Sequence, residues 1–129
     1  MAQTVPSVPP APDPSPATVV SKAVVRTARH LGLNNTALAG VRGLSEATIS
    51  RLAAGTYTLD AGSKPYELAL LLIRLFRSLD AMVGGEEEPM RGWMRSPNLD
   101  LASVPAELVQ TVSGLVNVVA YVDGARARL

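Results

Sequence analysis

Between Asn35 and Leu52 the chain carries side chains of the types that read a nucleic-acid duplex. Ala39, Gly43 and Ile49 fall at the spacing of two short crossed helices, with Leu52 completing the inner face. A small residue is needed where the helices cross closely. Glycine is needed in the turn, where the backbone takes a positive φ, and apolar residues must face back onto the first helix. Ser45, Glu46, Ala47, Ser50 and Arg51 then point outward near the start of the second helix. In a helix-turn-helix such positions reach base edges in the major groove. Arg51 suits guanine, while Ser45, Thr48 and Ser50 suit bases or phosphates. Asn35 and Thr36 open the first helix and offer phosphate contacts. Arg42, Lys22 and Arg26 are candidates for neutralising backbone charge. Glu46 is unfavourable near phosphates, so affinity per monomer is expected to be weak and dependent on dimerisation. A plain αα-hairpin shares the spacing and stays open as the alternative.

Side chains for catalysis do not come together in the sequence. His30 is the lone histidine and the chain has no cysteine, so neither a metal site nor a nucleophile–base couple is expected. Asp100 and Glu107 read as loop and first-turn carboxylates rather than a paired acid and base. Gly84-Gly85 lacks the lysine of a phosphate-binding loop. The expectation is a binding protein, with no enzymatic activity and no cofactor.

An all-α fold must position these residues. Hydrophobic residues make up 47% of the chain and aromatics only 4%, so aliphatic side chains build the core. Pro6, Pro9, Pro10, Pro12, Pro14 and Pro16 mark residues 1–17 as an extended or disordered tail. Thr18 is a plausible N-cap for a helix ending near Gly32. Asn34 or Asn35 caps a second helix, closed by Gly43, and Ser45 caps a third, closed by Gly55. These three helices make residues 18–62 a DNA-binding domain. Residues 63–129 form a second helical domain, for dimerisation and partner binding.

That second domain opens on a long helix from about Lys64 to Val83, with Pro65 tolerated in its first turn. Leu68, Leu71, Leu72, Leu75, Phe76, Leu79 and Val83 give it one broad apolar face, which Leu70 and Ile73 widen. Such a helix must be buried on more than one side, or associate with a copy of itself. Glu86, Glu87 and Glu88 suit the first turn of the next helix, which stops near Ser96-Pro97. Pro105 starts a short helix through Thr111. Gly114 reads as a break before a final helix to about Arg126.

Charge is split along the chain. Residues 17–59 hold Lys22, Arg26, Arg29, Arg42 and Arg51 against Glu46, while acidic residues outnumber basic ones across residues 80–107. Chance clustering aside, this division fits two surfaces for two kinds of partner. The opening residues lack the basic and apolar regions of a signal peptide. The longest apolar run, Leu68 to Ile73, is stopped by Arg74 and is far too short for a membrane span. A cytoplasmic protein without membrane contact is expected.

Gly92-Trp93-Met94-Arg95-Ser96-Pro97-Asn98, then Pro105-Ala106-Glu107-Leu108 and Gly114-Leu115, resembles the Xre/MbcA/ParS toxin-binding family. Gly62-Ser63-Lys64 and Leu75-Phe76-Arg77-Ser78-Leu79 look like the Xre antitoxins of RES–Xre toxin–antitoxin systems. The resemblance covers roughly residues 18–129. It implies a dimeric, all-helical antitoxin with operator DNA and a RES-domain, NAD-degrading toxin as partners. It also implies repression of its own operon, and a final helix whose end covers the toxin's active site. On this chain the toxin-binding candidates are then Trp93, Tyr121, Asp123, Arg126, Arg128 and Leu129. A pocket built for the phosphates of NAD suits the Arg126 and Arg128 guanidinium groups. Alternatively the two arginines only favour the negative end of their helix, and Trp93 only packs the C-terminal helices together. Two departures stand out. Family members often carry a glycine pair before the proline, where this chain has Ala102-Ser103-Val104. Gly124 sits inside the last helix, weakening it by about 1 kcal/mol relative to alanine. A stand-alone helix-turn-helix regulator with a helical dimerisation domain is the runner-up function.

Overall fold

The architecture was established from a computed structural model, which describes residues 15–128 apart from the side chains of Val41 and Arg42. The expected proline-rich tail therefore lies outside the described residues up to Pro14. Seven helices occupy the described residues.

Helix α4 (Lys64–Val83) is the strut of the fold. Its Ser63 N-cap accepts from the Tyr66 amide at 3.3 Å, Pro65 sits in the first turn, and Gly84 closes it in the left-handed conformation. One side packs on α1 (Pro16–His30) and another on α7 (Val112–Ala127). Leu72, Leu75 and Leu79 are fully buried between these partners. Each such leucine contributes about 1.5–3 kcal/mol through loss of water contact. Burial on more than one side is what the breadth of the apolar face demanded. The face is nevertheless not wholly covered: Leu70 remains 44% exposed, near an exposed Val19 of α1.

Helix α1 is capped three residues earlier than expected. Ser15, not Thr18, is its N-cap; Ser15 Oγ accepts from the Thr18 amide at 3.2 Å and bonds the Thr18 hydroxyl at 3.0 Å. Pro16 belongs to the first turn, where its missing N–H costs nothing and its fixed φ suits a helix. The short helices α2 (Asn35–Arg42) and α3 (Glu46–Ala54) pack on each other, with α3 against α1 and α2 against α4.

After the Gly84-Gly85 break, α5 (Glu87–Arg95) buries Met90 and Met94 and stops at Ser96, before Pro97. Helix α6 is shorter than expected, running only Pro105–Leu108. Gly114 is no break. It lies in the first turn of α7, donating its amide to Thr111 Oγ1 at 3.0 Å. Glycine stands there for a steric reason: a Cβ would meet the Leu108 carbonyl oxygen at 1.9 Å. No helix of the described residues is long and apolar enough to cross a membrane.

Candidate nucleic-acid interface and C-terminal partner surface

Gly43 joins α2 to α3 with φ 63°, the left-handed conformation the turn requires. The two helices meet through Leu38, Ala39, Ile49 and Leu52, each less than a tenth exposed. Leu44 packs against the core and donates its amide to the Ala39 carbonyl at 3.2 Å. Asn34 caps α2 through the Ala37 amide at 2.8 Å. Ser45 caps α3 through the Thr48 amide at 3.2 Å, and the two hydroxyls lie 2.9 Å apart. The recognition-type helix is thus fixed at both ends, by Ser45 and by a left-handed Gly55.

Of the sequence-predicted DNA residues, Asn35, Thr36, Ser45, Ala47, Ser50 and Arg51 are exposed on this unit. Thr48 is half-buried, its amide and hydroxyl committed to the cap. Arg42 ends α2, but its side chain lies outside the described part. The Thr36 hydroxyl donates to the Glu46 carboxylate, a bridge between α2 and α3 that sequence reasoning missed. Glu46 therefore has a role within the motif, and part of its charge is spent on Thr36 rather than on solvent.

The far end of the molecule is built on α7. The Asp123 carboxylate accepts from the Ser78 hydroxyl at 2.8 Å and pairs with Arg74 at 2.6 Å, so it faces α4. The Tyr121 hydroxyl donates to Asp100 Oδ2 at 2.8 Å, tying α7 to the loop between α5 and α6. The hydrogen bond to that carboxylate, with burial second, holds the Tyr121 phenol above its ordinary pKa of 10.0. In the same loop Asn98 pairs with Ser103, and Ala102 adopts φ 58°. Trp93 is half-buried and packed against the core. Arg126 and Arg128 are exposed at the end of α7, and Leu129 lies outside the described residues. Tyr121 and Asp123 are thus held by their own fold, while Arg126 lines a groove with Val19, Leu70 and Arg74 and, like Arg128, stays exposed.

Residues 11–74 match the antitoxin Xre-like helix-turn-helix domain. Residues 78–128 match the antitoxin Xre/MbcA/ParS C-terminal toxin-binding domain. The chain belongs to the Xre/MbcA/ParS antitoxin family. It is the antitoxin of a toxin–antitoxin pair, with a DNA-binding front and a toxin-binding rear, as the resemblance implied. A search of curated proteins finds no match.

The antitoxin also carries a junction that the sequence left invisible. Glu87 Oε1 lies 3.5 Å from His30 Nδ1 and 2.9 Å from Arg91. Arg91 in turn donates to the Arg29 carbonyl at 2.8 Å, at the negative end of α1. The His30 ring stacks on Phe76, with centroids 5.3 Å apart. His30 and Glu87 are far apart in sequence, so only the packing of α5 across the end of α1 brings imidazole and carboxylate together. The lone histidine thus has a carboxylate beside it that its sequence neighbours do not supply.

Proposed function

We propose that this antitoxin neutralises a RES-domain, NAD-degrading toxin by covering its active site with the end of α7, and represses its own operon through α2 and α3. The exposure of Arg126 and Arg128 at the tip of the segment matching a toxin-binding domain carries this reading. Guanidinium groups are the side chains best matched to a pocket that binds the phosphates of NAD. The RES assignment is supported by the likeness of Gly62-Ser63-Lys64 and Leu75-Phe76-Arg77-Ser78-Leu79 to RES-system antitoxins.

In this reading Trp93, Tyr121 and Asp123 position the toxin-binding end, and Leu129 extends it. Asn35, Thr36 and Arg42 meet phosphates, while Ser45, Ala47, Ser50 and Arg51 face bases, with Thr48 holding the helix that presents them. Two copies act together, because a single α3 reads only a half-site. The exposed Val19 and Leu70 support self-association. The work is done in the cytoplasm, where both operator and NAD are found.

The test is a deletion of Arg126–Leu129 alongside Arg126→Ala/Arg128→Ala. A longer deletion from Tyr121 would remove Val122, which is fully buried, and so confuse inhibition with folding. The toxin encoded beside the antitoxin is assayed for NAD loss with each variant, and operator binding is measured in parallel. Restored NAD loss with operator binding retained supports the plug. Full protection by the truncated chain overturns it. A high-affinity operator with no toxin gene beside it would instead favour a stand-alone regulator.

A further inference from the structure

Lys22, Arg26 and Arg29 lie on one face of α1, four and then three residues apart. All three are exposed, and among the described residues none has a carboxylate partner. They do not stand on a bare helix surface. With Val25 and Leu52 they form one side and the floor of a cleft of about 450 Å³, closed opposite by Ala53, Ala54 and Gly55 at the end of α3.

Each part of this cleft favours one kind of ligand. The three cations span about 10 Å along the helix axis. One strand of B-form DNA rises 3.4 Å per phosphate along the duplex axis and its phosphates lie farther apart along the strand itself, so the span reaches about two to three consecutive phosphates. The opposite wall is made of alanine and glycine, whose lack of long side chains lets a sugar–phosphate strand approach closely. Two carbonyls of the last α3 turn, those of Arg51 and Leu52, are already taken by the Thr56 and Gly55 amides at 2.9 and 3.1 Å. The negative end of α3 is blunted by these bonds, and a phosphate meets the α1 cations at lower electrostatic cost.

The cleft is also in the right place. Ala53 and Ala54 lie one turn beyond Ser50 on the exposed side of α3. A duplex whose base edges meet Ser45, Ser50 and Arg51 therefore continues toward α1. We propose that the cleft between α1 and the last turn of α3 is a phosphodiester clamp, in which Lys22, Arg26 and Arg29 grip one DNA strand without reading its sequence. This rests on the DNA-binding reading of α2 and α3. It adds a second hold at the opposite end of α3, with Arg29 and the α3 end as parts that sequence reasoning did not assign to DNA.

The experiment compares the full chain with Lys22→Gln/Arg26→Gln/Arg29→Gln, and with the charge-conserving Lys22→Arg/Arg26→Lys/Arg29→Lys. Binding is measured across a salt series to the duplex upstream of the antitoxin gene and to a scrambled duplex of equal length. Circular dichroism confirms that each variant is folded. The clamp predicts that the glutamine variant weakens both duplexes by a similar factor, roughly tenfold or more, and lowers the slope of log affinity against log salt by about 2–3. The charge-conserving variant should keep the parental slope. An unchanged slope in a folded glutamine variant overturns the clamp. Loss of toxin binding with the salt slope retained overturns it too, and assigns the cations to an acidic protein surface. If the unmodified chain binds neither duplex, the DNA-binding reading fails first, a result distinct from failure of the clamp alone.

Discussion

The hydroxyl of Ser78 reaches the Asp123 carboxylate at 2.8 Å and joins the central helix to the last one. Ser78 is 1% exposed, so its hydroxyl has no water to fall back on. Arg74, the other partner of Asp123, has a side chain 64% exposed. Burial decides which interaction matters. Asp123→Ala is expected to cost about 2 kcal/mol, chiefly by stranding a buried donor. Arg74→Ala should cost under about 1 kcal/mol, because a solvated ion pair is screened. Urea unfolding of the two variants measures the difference, and equal losses would shift the weight to the ion pair.

Two glycines of α7 should respond to alanine with opposite signs. At Gly114 a methyl group collides with the Leu108 backbone, which cannot swing aside as a side chain could. Gly114→Ala is expected to cost about 3 kcal/mol. At Gly124 nothing lies within 4 Å of the added carbon, and the position is inside the helix. Gly124→Ala should stabilise by up to about 1 kcal/mol, the difference in helix propensity. Thermal unfolding of both variants gives the two shifts directly.

Ala102 holds a conformation that favours glycine, at φ 58°. The loop around it is over-determined: Asn98 accepts from the Leu101 amide at 3.1 Å and donates its own amide to Ser103 at 3.0 Å. Ala102→Gly should relieve about 1 kcal/mol of backbone strain, less the extra entropy of a freer unfolded chain. A small rise in melting temperature with unchanged toxin binding is the expected result. A fall would mean that the loop holds alanine without strain.

The Tyr121–Asp100 bond sets an alkaline limit on one attachment of α7. Its phenol has a folded-state pKa above 10.0, raised first by the hydrogen bond to Asp100. Stability from a raised pKa is fully present below the unfolded value and fades as pH climbs through the folded one. The bond is thus intact at neutral pH and weakens only above about pH 10. Tyr121→Phe should remove an ionisation step above that pH from the ultraviolet absorbance titration, and flatten the alkaline fall in stability. A lost step centred at the ordinary tyrosine value of about 10 would place the phenol in solvent, free of Asp100.

Local signals in the sequence account for much of this fold. The limits of α4 follow from Ser63, Pro65 and Gly84, and those of α3 from Ser45 and Gly55, because caps and turns are chosen by residues adjacent to them. The misreadings also have local causes. Thr18 was a reasonable cap until Ser15 and Pro16 supplied a better one. Gly114 has the form of a breaker, yet its requirement comes from Leu108 pressing on it through tertiary packing. Contacts between distant residues are another matter. Neither His30–Glu87 nor Tyr121–Asp100 has any signature in spacing, since each depends on where whole helices come to rest. The same holds for the α1–α3 cleft: its cations were visible one by one, and its concavity was not.

The two matched segments, residues 11–74 and 78–128, abut inside α4 rather than across a loop. Leu75, Phe76 and Arg77 fill the gap on unbroken turns of one rod. Front and rear are therefore not beads on a string. The helix-turn-helix segment and the toxin-binding segment share one stiff shaft, and heat should melt both ends in a single transition.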